Sequence, residues 1–178
     1  MQQLASRLVL SVLGLALATA AQAATTVTGQ ISSTLILTSS CLVNGGAGAT
    51  NLNFGTLNFG TTDSLFTQTG TQLVAAGGGA VSIQCSAGTT PTVTIQGGLH
   101  DGQSTGGTRA LYDGVSHFVP YDLYTDSGYN NILASNGVIN LAASTGAAQT
   151  INLWGKAVGK PGLPAGTYSD TISVQLSF

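Results

Sequence analysis

Thr171-Ile172-Ser173-Val174-Gln175-Leu176-Ser177-Phe178 closes the chain with the cleanest pattern it contains. Ile172, Val174, Leu176 and Phe178 fall at every second position, and Thr171, Ser173, Gln175 and Ser177 fill the gaps. Successive side chains of an extended strand point to opposite faces, so this spacing predicts a β-strand with one apolar face and one polar face. A helix would scatter the same residues around its circumference. The pattern runs to the last residue with no polar tail, whereas chain ends ordinarily fray. Two roles follow for such a strand: pairing within its own domain, or meeting a partner by strand addition to a sheet edge.

Working back along the chain, the same alternation recurs. Val81, Ile83 and Cys85 alternate with Ser82 and Gln84, and Val93 and Ile95 follow Pro91. Val119, Tyr121 and Leu123 alternate through Phe118–Tyr124, although Pro120 pushes that stretch toward an edge or bulge. Val138-Ile139, then Ile151, Leu153 and Trp154, continue the series. Near the front, Val27, Ile31, Leu35 and Leu37 share one face of an extended segment, with Thr28, Gln30, Ser32 and Thr34 opposite. Turn signals separate these runs: Asn44-Gly45-Gly46, Gly77-Gly78-Gly79, Asp101-Gly102, Asp113-Gly114, Asn136-Gly137 and Lys160-Pro161-Gly162. No stretch sustains a helical apolar stripe, and glycine recurs too often for long helices. The expectation is an all-β antiparallel sandwich with Greek-key links. Leu52-Asn53-Phe54-Gly55 is echoed by Leu57-Asn58-Phe59-Gly60, read as a bent strand with Phe54 and Phe59 as core anchors.

The first residues follow a secretory plan. Arg7 supplies positive charge, Leu8–Ala21 is an apolar run, and Ala21-Gln22-Ala23 matches the small-x-small cleavage pattern. That run is shorter than the roughly 18–20 residues a permanent membrane helix needs. Residues 1–23 are therefore expected to be a signal peptide, with no stable membrane insertion and a mature chain of one domain. Its cations are Arg109, Lys156 and Lys160 against six aspartates and no glutamate, a formal charge of −3. This excludes a basic nucleic-acid footprint and polybasic attraction to anionic lipid. Charged residues are 6% of the chain, against about 25% in ordinary soluble proteins. Such a surface is expected of a protein that packs against copies of itself.

Cys41 and Cys85 are the two cysteines, and an oxidising compartment would join them. With only His100 and His117 besides, a zinc site fits poorly, and neither a metal nor a cofactor is expected. Asp113, Ser116 and His117 invite a catalytic-triad reading. Adjacent Ser and His do not readily face one another on a strand, and no G-x-S-x-G elbow is present, so no enzyme is expected.

The chain resembles the spore coat protein U domain family, whose pilus-forming members are Csu-type subunits of archaic chaperone–usher fimbriae. The resemblance rests on Val27-Thr28-Gly29-Gln30-Ile31, the Cys41 region, Phe54–Gly60, Val81–Cys85, Tyr121–Asp126 and Pro164–Val174, in that order. It implies an incomplete immunoglobulin-like sandwich completed by donor-strand exchange. It also implies a donor segment over residues 24–37, inserting Val27, Ile31, Leu35 and Leu37 with Gly29 and Ser33 as small positions, and a pilin domain over residues 38–178. The groove that receives a chaperone strand, and later a donor strand, would include Ile172, Val174, Leu176 and Phe178. Cys41 and Cys85 match the family's intrasubunit bridge. The implied partners are copies of the chain or sister pilins, a periplasmic chaperone and an outer-membrane usher. The implied role is a surface fimbria, reached through the periplasm, that supports attachment and biofilm formation. The alternatives are a single-domain adhesin or carbohydrate-binding module, with Trp154, Tyr112, Tyr121, Tyr124 and Tyr129 as a platform, and a spore- or cyst-coat component.

Overall fold

A computed structural model describes residues 25–178, and the expected signal peptide lies outside them. The chain divides into one unit ending at Ile36 and another running from Leu37 to Phe178. Within the first, residues 25–36 form neither strand nor helix and their side chains are exposed.

The second unit is built from strands alone among the described residues. They are β1 (Cys41–Val43), β2 (Gly46–Ala47), β3 (Gln68–Gln72), β4 (Val81–Cys85), β5 (Thr92–Gly98) and β6 (Arg109–Tyr112). The series continues with β7 (Phe118–Tyr124), β8 (Gly137–Asn140), β9 (Gln149–Ile151), β10 (Trp154–Val158) and β11 (Ile172–Ser177). Antiparallel pairing orders them as β2-β1-β4-β9, β3-β10-β7-β6 and β11-β5-β8. Each sheet contributes to one core: Val43, Val81 and Ile83 from the first, Tyr121, Leu123 and Ala157 from the second, Val93 and Ile95 from the third. The period-two reading of residues 81–85 is met directly, since Val81, Ile83 and Cys85 are buried while Ser82 and Gln84 are not.

Cys41 is bonded to Cys85. The two stand opposite each other in the β1–β4 register. Flanking bonds run from Ser86 N–H to Ser40 O and from Asn44 N–H to Ser82 O. They place the cysteines at a pair without mutual backbone bonds, where facing side chains come closest.

Two local expectations change. Pro120 does not lie in an edge strand, because β7 is flanked by both β10 and β6. The β10 ladder, however, covers only Tyr121–Tyr124, and Pro120 is paired on the β6 side alone, with Ala110. Its missing N–H therefore falls where the second ladder has already stopped. The Leu52–Gly60 echo is not a strand either; its one pairing is the bridge from Thr56 to Val74. Asn53 and Asn58 each accept, through Oδ1, the N–H two residues on, from Gly55 and Gly60. These side-chain-closed turns curl the backbone out of the extended form. Gly55 has φ +125°, and a Cβ there would meet Val74 O at 2.6 Å, so only glycine lets the segment lie so close. Phe54 and Phe59 still pack against the core, half-buried, with Phe59 edge-on to Tyr121 at 5.8 Å.

Aspartates close the loops. Asp126 accepts the Asn131 N–H at 2.7 Å and the Asn130 N–H at 3.1 Å. The Asn131 bond is the main reason its carboxyl sits below the usual range. At Asp113 burial pulls upward, but the N–H groups of Val115, His117 and Ser116 and the His117 ring outweigh it and hold the carboxyl low. Both groups bind protons less readily folded than unfolded, so their stabilisation is present above about pH 4 and is lost as the pH falls below it. Thermal melts are expected to hold level near neutrality and drop in that acid window. Asp126→Asn should flatten the drop.

Candidate strand-binding groove

β11 is the edge of its sheet, with β5 as its strand neighbour and a register irregularity between Ile172 and Val174. The sequence pattern places Ile172, Val174 and Leu176 on one face, and all three lie half-buried against the core. In a closed sandwich such positions would be covered. Here a groove of about 400 Å³ opens beside Ile172 and Val174. Its floor is the core itself: Val81, Val93, Ile95 and Ile151 line it, although each is at most 3% exposed. The opposite flank is the irregular run Leu52–Leu57 with Phe59.

One end of the groove is polar. Asp170, whose side chain is 1% exposed, accepts the Tyr121 O–H at 2.7 Å and the Leu99 N–H at 3.0 Å, and pairs with His100 Nδ1 at 3.0 Å. Desolvation, followed by the bond to Asp170, pushes the Tyr121 phenol far above its ordinary range. These contacts tie the start of β11 to the end of β5 and to β7. Behind them Arg109 is fully buried, with Nη1 3.6 Å from Asp101.

Of the four predicted groove residues, Ile172 and Val174 line the opening. Leu176 is packed on the core, and Phe178 lies past the end of β11, 55% exposed. The flank formed by Leu52, Phe54 and Leu57, and the polar end at Asp170 and Tyr121, were not among the sequence-predicted groove residues. The pattern along Leu52–Gly60 and in β7 was visible, but nothing in it set those residues beside β11. The donor positions Val27, Ile31, Leu35 and Leu37 are 81–98% exposed and belong to no strand.

Asp113 and His117 make local turn contacts. His117 Nδ1 lies 2.6 Å from Asp113 Oδ2, while Asp113 Oδ1 accepts the N–H groups of Val115, Ser116 and His117 and so closes the β6–β7 turn. Of the aromatic residues named for a sugar platform, Tyr121 and Tyr124 are buried, while Tyr112, Tyr129 and Trp154 are half-buried. Tyr112 stacks on Phe118 at 4.8 Å, with His100 against both.

The model of the Spore Coat Protein U domain family matches residues 25–175. Protein U of Myxococcus xanthus is 26% identical over 148 residues, covering 78% of this chain and 77% of that protein. Among solved structures, the chaperone–tip adhesion subunit pre-assembly complex CsuC–CsuE, from archaic chaperone–usher Csu pili of Acinetobacter baumannii, matches with 23% identity and a TM-score of 0.47. The match covers 79% of this chain and 40% of the matched chain.

Proposed function

The chain belongs to the Spore Coat Protein U domain family, and from that premise we propose that it is an exported structural subunit of a surface fimbria, assembled by donor-strand complementation. One observation carries this reading. An apolar groove floored by core side chains lies open beside the edge strand β11, and a separate segment of the same chain displays Val27, Ile31, Leu35 and Leu37 to solvent. Among the described residues β11 has one strand neighbour and residues 25–37 pair with no strand.

Each large apolar side chain moved from water into such a groove contributes about 1.5–3 kcal/mol, before the cost of ordering the segment. Backbone bonds to the free edge of β11 add about 0.5–1.5 kcal/mol each, net. An unfilled groove is an aggregation hazard, so a periplasmic chaperone is the expected first occupant, and an outer-membrane usher the site of exchange for the next subunit's segment. Attachment and biofilm formation are then properties of the fibre. The family's name favours a second reading, a coat layer built by the same exchange, which electron microscopy separates from the first by showing sheets in place of fibres.

A synthetic peptide of residues 25–37, added in excess during assembly, is expected to occupy grooves and shorten the assemblies. The same peptide carrying Ile31→Asp should do neither. Equal shortening by both peptides, or by neither, would contradict the reading.

A further inference from the structure

β3 reads Gln68-Thr69-Gly70-Thr71-Gln72, which is the same in both directions. It is also an edge strand, paired with β10 and with no second strand neighbour among the described residues. Together these two facts point to a partner.

The backbone fixes which groups face outward. Thr67 O accepts the Gly159 N–H at 2.9 Å, and Leu73 N–H donates to Leu153 O at 2.8 Å, both toward β10 and its flanks. Val74, the next residue, bonds Thr56 on the opposite side. Direction alternates along an antiparallel strand. The N–H and C=O groups of Gln68, Gly70 and Gln72 therefore point to the free side, where no backbone group among the described residues bonds them. The side chains alternate too: Gln68 and Gln72 are exposed, while Thr69 and Thr71 are half-buried and Thr69 Oγ1 reaches Phe59 O at 3.2 Å.

We propose that β3 pairs, antiparallel, with β3 of a second copy of this chain, about a two-fold axis at Gly70. Two-fold interfaces require a surface complementary to itself, and a palindromic edge strand supplies one. Gly70 then meets Gly70, Gln68 meets Gln72 in both directions, and Thr69 meets Thr71. The three outward-facing residues of each copy exchange about six backbone hydrogen bonds. Cross-strand glutamine and threonine pairs complete the match without burying charge.

Other features agree. Natural edge strands are ordinarily guarded against self-pairing by charged residues, proline or short length. β2 and β9 are guarded by length, at two and three residues, whereas β3 has five residues and neither charge nor proline. The nearest cation, Lys156, stands opposite Gly70 on β10 and is drawn over the rings of Tyr124 and Tyr129, at 5.0 and 5.4 Å. The Tyr129 hydroxyl lies where a β-carbon on residue 70 would be, so a side chain at the centre of the palindrome would have to displace that ring. A single pairing of this length is weak. In a fibre, on the reading proposed above, the edge recurs in every subunit and side-by-side contacts reinforce one another.

The test uses the whole protein as purified from the cell, with two double variants, Gln68→Lys/Gln72→Lys and Gln68→Glu/Gln72→Glu. Both alter exposed side chains only. Sedimentation velocity across a concentration series should show wild-type self-association, at least about tenfold weaker association for either variant alone, and recovery in an equimolar mixture. In that mixture each lysine would face a glutamate. A wild-type chain that stays monomeric throughout, a variant that associates as wild type does, or a mixture no better than its components would each overturn the proposal. Fibre length, read by microscopy on the same samples, reports the groove independently. Lost side-by-side pairing with unchanged length assigns the effect to β3, and altered length reports on strand exchange instead.

Discussion

Deleting residues 25–37 is expected to abolish fibres while leaving a folded, chaperone-bound subunit. The buried core lies entirely between Cys41 and Leu163, and no residue of the deleted segment contributes to it. What the deletion removes is the row of exposed apolar side chains at Val27, Ile31, Leu35 and Leu37. A graded version substitutes Ile31→Asp. Losing one buried isoleucine forfeits roughly 1.5–3 kcal/mol, and a carboxylate facing an apolar wall adds a desolvation cost. Together these amount to roughly 3 kcal/mol or more, about a hundredfold or greater loss in strand affinity. Electron microscopy of surface material, scored for fibre number and length beside an immunoblot of periplasmic subunit, checks both variants. Fibres of normal length from the deletion would refute the donor assignment. Loss of the subunit even when the chaperone is co-expressed would show the segment to be part of the fold.

Replacing Cys41 and Cys85 together by serine should have the largest effect on stability. The bridge spans 44 positions, and closing a loop of that size contributes about 4 kcal/mol in the chain-entropy account. Total stabilities are only about 5–15 kcal/mol. For a domain of this size the loss corresponds to a melting temperature lower by about 10–20 °C. Two further terms act in the same direction. Both half-cystines are buried, at 8% and 4% exposure, so the serine hydroxyls would enter the core. β1 is also only three residues long and has few backbone bonds with which to hold β4 unaided. Differential scanning calorimetry of wild type, the double variant and reduced wild type checks this. A variant melting within a few degrees of wild type would remove the bridge from the account of stability.

Period-two alternation located β4, β5 and β11 because each has one face nearer the core and the other away from it, which is the condition alternation records, whereas β7 is buried on both faces at Val119–Tyr121 and again at Leu123-Tyr124. The disulfide was legible from cysteine number and an oxidising destination, both independent of geometry. Asn-Phe-Gly resisted the same treatment. Its phenylalanines do reach the core, but asparagine side chains closing back on the chain produce that spacing through turns. Pro120 marked one-sided pairing and not an edge strand, since β6 pairs Phe118–Tyr121 and β10 pairs Tyr121–Tyr124, the two ladders overlapping at Tyr121 alone. Arg109 carried no signal at all. One of three cations among the described residues, it is buried completely on β6, with Nη1 3.6 Å from Asp101.

The position of Cys41 has a mechanical consequence. It opens the first strand, immediately after the run that belongs to no element, and is bonded across to Cys85 on the neighbouring strand. Tension applied along the front of the chain therefore meets only the Ser40–Ser86 hydrogen bonds before it reaches a covalent rivet, and is handed to β4, whose other side is held by β9. Three-residue β1 alone would unzip from its end under a modest pull. With the rivet at its first residue the load is shared in shear by two strands, so rupture is expected to begin elsewhere.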